Sequence, residues 1–233
     1  MARDRKTSGD DGSRMKFERV RSARGRRLSS TRWLQRQLND PYVQAAKRDG
    51  YRSRAAYKLL HIDERFELLT PGKRVVDLGA APGGWTQIAV DRVESEDSAK
   101  SVVAIDILEM EPLAGAEILV GDIEDEDAVA RLRKAIGAPV DLVLSDMATS
   151  TTGHASTDHL RTLALAEAAF VFACEVLSPG GGFVTKVFQG ADEPALFAAM
   201  TKNFASVRRF KPKASRSDSV EMFLVATGFK DAG

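Results

Sequence analysis

The residues from Val75 to Trp85 read VVDLGAAPGGW, an apolar run that ends in a glycine-rich turn. A buried strand that opens through such a turn onto a helix brings backbone close to a ligand, because Gly79, Gly83 and Gly84 carry no Cβ. Three later apolar runs close on acids: one at Asp106, one at Gly121-Asp122 and one at Ser145-Asp146. With Asp77 in the first run, four successive strands are expected to deliver Asp77, Asp106, Asp122 and Asp146 to one edge of a sheet. A single carboxylate at a strand end can simply cap the next helix. Four in series exceed what capping needs, and the acid ending the second strand is placed to accept hydrogen bonds from ribose hydroxyls.

The turn also limits the ligand. A dinucleotide site requires G-x-G-x-x-G, so that the pyrophosphate can sit on a helix N-terminus. Here the spacing is Gly79-Ala80-Ala81-Pro82-Gly83, without the middle glycine. An acid-lined edge is a poor cradle for phosphates and a better one for a cationic, phosphate-free nucleoside. S-adenosylmethionine, with its sulfonium and amino group, answers that description.

Strands and helices must alternate to hold these residues. Apolar runs predict strands at Val75–Gly79, Val102–Asp106, Ile118–Gly121, Leu142–Ser145, Phe183–Phe188 and Met222–Thr227, with a weaker one near Ala205–Phe210. Helical periodicity falls between most of them, at Thr86–Arg92, Ala128–Ile136, His159–Val176 and Glu193–Asn203. The pattern is that of a mostly parallel sheet covered on both faces. The last two strands are joined by polar residues without a helix, and are expected to pair as an antiparallel hairpin. Ahead of the sheet, a helix is predicted over Ser53–Leu69, with Ser53 as its N-cap and Pro71-Gly72 closing it. A short helix, a break at Asp40-Pro41 and a second helix precede that.

Composition narrows the class. In 233 residues, 43% are hydrophobic and 29% charged, which suits a globular core. One cysteine, Cys174, excludes an internal disulfide framework, and His61, His154 and His159 are scattered, so no metal site is expected. No apolar run is long enough for a membrane span and the start is too polar for a secretory signal, so a cytoplasmic protein is expected. The net charge of +1 conceals an asymmetry. Residues 1–54 carry 16 Lys/Arg against 6 Asp/Glu, and residues 55–233 carry 18 against 27. A basic, loosely held extension over 1–50 on a folded domain over 51–233 points to a polyanionic partner.

Four motifs together resemble the FtsJ-type ribosomal RNA large-subunit methyltransferases: VVDLGAAPGGW, SDMA at Ser145–Ala148, GGFVTKVF ending at Phe188, and SRAAYKLL ending at Leu60. The resemblance covers about residues 25–230. It implies a Rossmann-like S-adenosylmethionine-dependent methyltransferase fold: α/β, with a seven-stranded mostly parallel sheet, helices on both faces and a C-terminal antiparallel strand. It also implies S-adenosylmethionine as methyl donor and the 2′-hydroxyl of a uridine in 23S rRNA, in the 50S ribosomal subunit, as acceptor. The family's Lys-Asp-Lys-Glu tetrad falls on Lys58, Asp146, Lys186 and Glu221. By the same carry-over, Gly83, Trp85, Asp106, Asp122 and Asp146 line the cofactor site.

Lys186 lies among Phe183, Val184, Val187 and Phe188, where an unpaired ammonium is costly to bury. With the resemblance in view it is the expected general base for a weakly nucleophilic hydroxyl. Asp146 and Glu221 are expected to orient it, and Lys58 to steady the tetrad or a substrate phosphate. Two basic runs are expected to cradle RNA: Arg19–Arg54, with Trp33, Tyr42 and Tyr51 interleaved, and Lys202–Arg216, which contains no acid. A 2′-O-methyltransferase of transfer RNA or of an mRNA cap, and a non-catalytic ribosome-assembly factor, are the competing readings. A monomer is expected.

Overall fold

The computed structural model describes residues 34–96, 100–149, 153–190 and 193–230. The N-terminal 33 residues, including most of the predicted basic extension, lie outside the described residues. The chain divides into two units, 1–45 and 46–233. In the first, residues 34–38 form a helical turn and a break follows. The break leads into α1, Pro41–Asp49, where the Asp40 carboxylate accepts the Tyr42 N–H at 3.0 Å. An Asp cap followed by proline at the first helical position is a strong start signal.

In the second unit the elements run α2 (Ala56–Phe66), β1 (Val75–Leu78), α3 (Gly84–Val93), β2 (Val102–Asp106), β3 (Ala116–Val120) and α4 (Glu126–Ile136). Then come β4 (Val140–Ser145), α5 (Ala155–Val176), β5 (Leu177–Phe188), α6 (Glu193–Asn203), β6 (Phe204–Phe210) and β7 (Glu221–Phe229). They build one sheet in the order β3-β2-β1-β4-β5-β7-β6. Strands β1 to β5 pair in parallel, and β7 inserts antiparallel between β5 and β6. The chain reverses its direction across the sheet between β1 and β4, so the switch point lies at their carboxyl ends.

Strand periodicity sends neighbouring residues to opposite faces. Val76, Leu78, Ile105, Val143 and Phe183 pack with Leu132, Phe172 and Leu196 of α4, α5 and α6. Val75, Leu142, Leu144, Val184 and Phe223 pack with Leu59 and Ile62 of α2 and Trp85 and Ile88 of α3. Each large side chain so buried contributes about 1.5–3 kcal/mol. No helix among the described residues is long and apolar enough to cross a membrane.

Two sequence expectations are corrected. Ser53 does not cap α2, which begins beyond Ala55 without a side-chain cap. The Ser53 hydroxyl is instead buried without a hydrogen-bond partner, in the space a Cβ on Gly84 would need. Strand β5 also begins six residues before the predicted start. Leu177 pairs with Val140 and Gly182 with Leu142, so residues 178–181 loop out of an otherwise continuous strand. Proline and glycine there mark an interruption within the strand, not its beginning.

Candidate active site

The glycine-rich turn is tied to the end of β2 by one carboxylate. Asp106 accepts the Ala81 N–H at 2.9 Å through Oδ2 and the Leu108 N–H at 2.8 Å through Oδ1. The turn then enters α3 through Gly83, whose φ of 106° is open to glycine and strained for other residues. Asp122, just past β3, is exposed and accepts the Glu124 N–H at 3.0 Å. Beside the Asp106 bonds lies a cavity of 720 Å³, lined by Arg52, Ala81, Pro82 and residues 108–112. That volume suits a nucleoside-sized ligand. An uncharged turn facing acids fits a cationic cofactor with free ribose hydroxyls.

Asp77 is not at the edge. It sits inside β1, in register with Ala104 and Leu144, and is fully buried. Its Oδ2 accepts the Thr86 hydroxyl at 2.7 Å, which ties β1 to α3, while Oδ1 has no hydrogen-bond partner. Burial pushes its carboxyl up to about 7, against the Thr86 bond, and Asp146 and Asp106 push the same way. An acid raised in the folded state costs stability as pH climbs from the unfolded value to the folded one. Asp77→Asn keeps an acceptor for Thr86 and removes the charge. The variant should therefore be the more stable protein at pH 8, by about 2–4 kcal/mol, and the gap should close near pH 4. Thermal unfolding of both proteins across that range checks it.

Trp85 holds α3 to the rest of the domain. Its side chain is buried, its indole N–H donates to the Ala55 carbonyl at 2.8 Å, and its ring lies 5.5 Å from that of Phe223.

The four tetrad residues come from four places. Lys58 stands in the first turn of α2, Asp146 directly follows β4, Lys186 lies near the end of β5, and Glu221 opens β7. Period two puts Lys186 on the face of β5 that carries Val184, the face covered by α2. The antiparallel run of β7 brings its first residue opposite Phe188, at the end of β5. Lys58 Nζ donates to Glu221 Oε2 at 2.7 Å and lies 3.5 Å from Asp146 Oδ1. Lys186 Nζ lies 3.1 Å from that same oxygen and donates to the Asp146 carbonyl at 2.5 Å. The second Glu221 oxygen accepts the Ser215 hydroxyl at 2.8 Å. Two cations and two anions thus compensate one another in a buried cluster.

The electrostatics follow from that arrangement. Burial alone would lower the Lys58 ammonium, but Asp146 and Glu221 outweigh it and hold it above the usual lysine value. Burial alone would raise Asp146, but Lys186 and Lys58 hold it below the usual carboxylate range. The lysines therefore keep Asp146 ionised as an acceptor at neutral pH.

The basic runs are partly spent on structure. Arg52 donates to three backbone carbonyls, and Arg54 donates to the Ala214 carbonyl at 2.5 Å. Arg209 forms a two-toothed pair with Glu193 and lies 3.9 Å over the Phe197 ring. Lys211 donates to the Ser219 carbonyl at 2.6 Å. Lys202, Arg208 and Lys213 remain exposed. His61 Nδ1 accepts the Ala214 N–H at 3.3 Å. Residues 19–33 lie outside the described residues. The sequence reading missed Ser215, which looks like one more loop serine until the fold sets it against Glu221.

An open seven-stranded sheet of this order, with only its last strand reversed and a glycine-rich turn at the switch point, defines an S-adenosylmethionine-dependent methyltransferase fold. The comparisons with known proteins agree. The family model described as FtsJ-like methyltransferase matches residues 51–229, and the chain belongs to that family. It is 59% identical over 221 residues to a Paramagnetospirillum magneticum protein named ribosomal RNA large subunit methyltransferase E, covering 94% of this chain and 91% of that one. A Rhodospirillum rubrum protein of the same name is 60% identical over 224 residues, with 96% and 85% covered. Among solved structures, a Plasmodium falciparum chain described as a ribosomal RNA methyltransferase superposes with a TM-score of 0.69 at 29% identity. That match covers 77% of this chain and 98% of that one.

Proposed function

We propose that the protein transfers the methyl group of S-adenosylmethionine to the ribose 2′-hydroxyl of a uridine in 23S rRNA. The observation that carries this reading is near full-length identity of 59–60% with large-subunit ribosomal RNA methyltransferases. The buried Lys-Asp-Lys-Glu cluster at the switch point supports the chemistry. We place the reaction in the cytoplasm, with a single chain acting on free RNA or on the assembled 50S subunit.

When bound, S-adenosylmethionine supplies an electrophilic methyl on its sulfonium. Gly83, Trp85, Asp106, Asp122 and Asp146 would hold it. In its neutral-amine form, Lys186 Nζ would take the proton of the 2′-hydroxyl as the oxygen–carbon bond forms and the carbon–sulfur bond breaks. The proton leaves on the lysine, and the electron pair of the broken bond stays on sulfur. Asp146 orients Lys186 through the 3.1 Å contact, and Glu221 does the same for Lys58. Holding the hydroxyl in line with the breaking bond supplies much of the acceleration. The exposed Lys202, Arg208 and Lys213, with the basic extension over 1–50, carry the RNA backbone.

A tritiated-methyl assay on unmethylated 50S subunits, free 23S rRNA and bulk transfer RNA tests this directly. Label recovered as 2′-O-methyluridine from large-subunit RNA is the expected result. Label on transfer RNA would overturn the substrate and keep the chemistry, and no label with cofactor bound would favour an assembly factor. RNA affinity should fall steeply between 50 and 200 mM salt, by roughly a hundredfold or more if several phosphates are contacted. Electrophoretic titrations at both salt concentrations measure that slope.

A further inference from the structure

Arg52 leaves the chain four residues before α2 and reaches across two segments that are distant in sequence. Its Nη1 donates to the Glu111 carbonyl at 2.7 Å and, at 3.5 Å, to the Pro82 carbonyl, and its Nη2 donates to the Pro112 carbonyl at 2.7 Å. The acceptors are carbonyl oxygens, not carboxylates. Its own backbone is fixed in turn: the Arg52 N–H donates to Gln87 Oε1 at 2.7 Å, and Gln87 Nε2 donates to the Gly50 carbonyl at 3.2 Å. The guanidinium is packed closely enough that a Cβ on Gly83 would lie 2.8 Å from Nη1 and 3.0 Å from Cδ. Arg52 also lines the 720 Å³ cavity together with both segments it joins.

An ion pair on a surface contributes little. A planar fork holding carbonyls from two separate segments does something else, because it fixes the distance between them. Here the two segments are the glycine-rich turn and the stretch after β2. Asp106 ties them at one point through Ala81 and Leu108, and Arg52 ties them at a second. We propose that Arg52 is a positioning residue for the S-adenosylmethionine site, setting the separation of its two walls without touching the reacting atoms. This rests on the reading that those walls hold the cofactor. It also removes Arg52 from the RNA cradle, although the residue lies in a basic run.

Calorimetric titration with S-adenosylhomocysteine and steady-state methyl transfer test this together. Arg52→Ala should raise the Kd for S-adenosylhomocysteine and the KM for S-adenosylmethionine by roughly tenfold, with kcat at saturating cofactor within about twofold. RNA affinity and its salt slope should not move. Arg52→Lys should recover little, because a single ammonium cannot span both segments. Gln87→Met frees the Arg52 backbone while keeping the guanidinium, and should raise both constants by about threefold. If Arg52→Ala fails to fold, Arg52→Lys and Gln87→Met decide the matter.

Unchanged cofactor constants in Arg52→Ala would overturn the assignment. So would full recovery in Arg52→Lys, or a loss of RNA affinity with a salt slope shallower by about one. Asp106→Asn is measured in parallel. If it too leaves cofactor affinity unchanged, the cofactor site itself is misplaced. If it weakens binding and Arg52→Ala does not, only the role given to Arg52 falls.

Discussion

Replacing Lys186 by alanine should reduce methyl transfer by about a thousandfold, the scale of a lost general base, with cofactor affinity changed by less than about threefold. The reasoning starts from where the amine sits. Lys186 is 6% exposed, and its Nζ is held by both the backbone carbonyl and the carboxylate of Asp146. Removing it leaves Asp146 with Lys58 at 3.5 Å, so the carboxylate keeps a cation and the turn at Gly83 is untouched. The informative companion is Lys186→Arg. A guanidinium carries a permanent positive charge and cannot take up a proton at any working pH. Loss of activity in both variants, measured as single-turnover methyl transfer, supports proton abstraction. Substantial activity in the arginine variant would show that the charge alone is what matters and that the proton leaves by another route.

Asp146→Asn should be the most destabilising single change in the site. It leaves Lys58 and Lys186, with side chains 10% and 6% exposed, to share one acid, Glu221, which already bonds Lys58. Breaking a buried ion pair on one side costs about 3–5 kcal/mol. For a chain of this size that corresponds to a fall on the order of 10 °C in Tm. Adding Lys58→Met should recover part of the stability and none of the activity, because it removes the stranded cation without restoring the acceptor. A double-mutant cycle in urea measures the coupling. The pH dependence has a definite sign. The Asp146 carboxyl is held below its ordinary value, so its contribution is present at neutral pH and is lost as pH falls through the folded value. The wild-type protein should lose this contribution in acid, and Asp146→Asn should lack that part of the decline.

Strand and helix order was legible because buried parallel strands are short apolar runs, and seven such runs stand out from this chain. The boundaries that moved did so for local reasons. The Leu177 end of β5 pairs with Val140 although Pro179, Gly180 and Gly181 interrupt the run, because the sheet tolerates an outward loop between two paired positions. Within the site, the tetrad was legible only through resemblance. Period two places Lys186 on a face, but nothing local to Glu221 says that β7 will bring it beside Lys58. The Asp77 expectation failed because Asp77 lies within β1, with Leu78 still to follow, and is buried between β2 and β4. Arg52, Arg54 and Arg209 show why a charge run is a weak signal. Each is a cation in sequence, and each is committed in space to carbonyls or to Glu193.

The reversed strand has a consequence for biosynthesis. Strand β7 is the sole hydrogen-bonding neighbour of β6 in the sheet and supplies one of the two partners of β5. It is also the last of the described elements in chain order, and its first residue is Glu221. A nascent polypeptide whose β7 is still inside the ribosome therefore has an open edge at β5, an unpaired β6 and three of the four tetrad groups. Chemistry and sheet closure arrive together, with β7. A prematurely terminated product would fail on both counts at once, exposing the kind of raw strand edge that proteolytic surveillance clears.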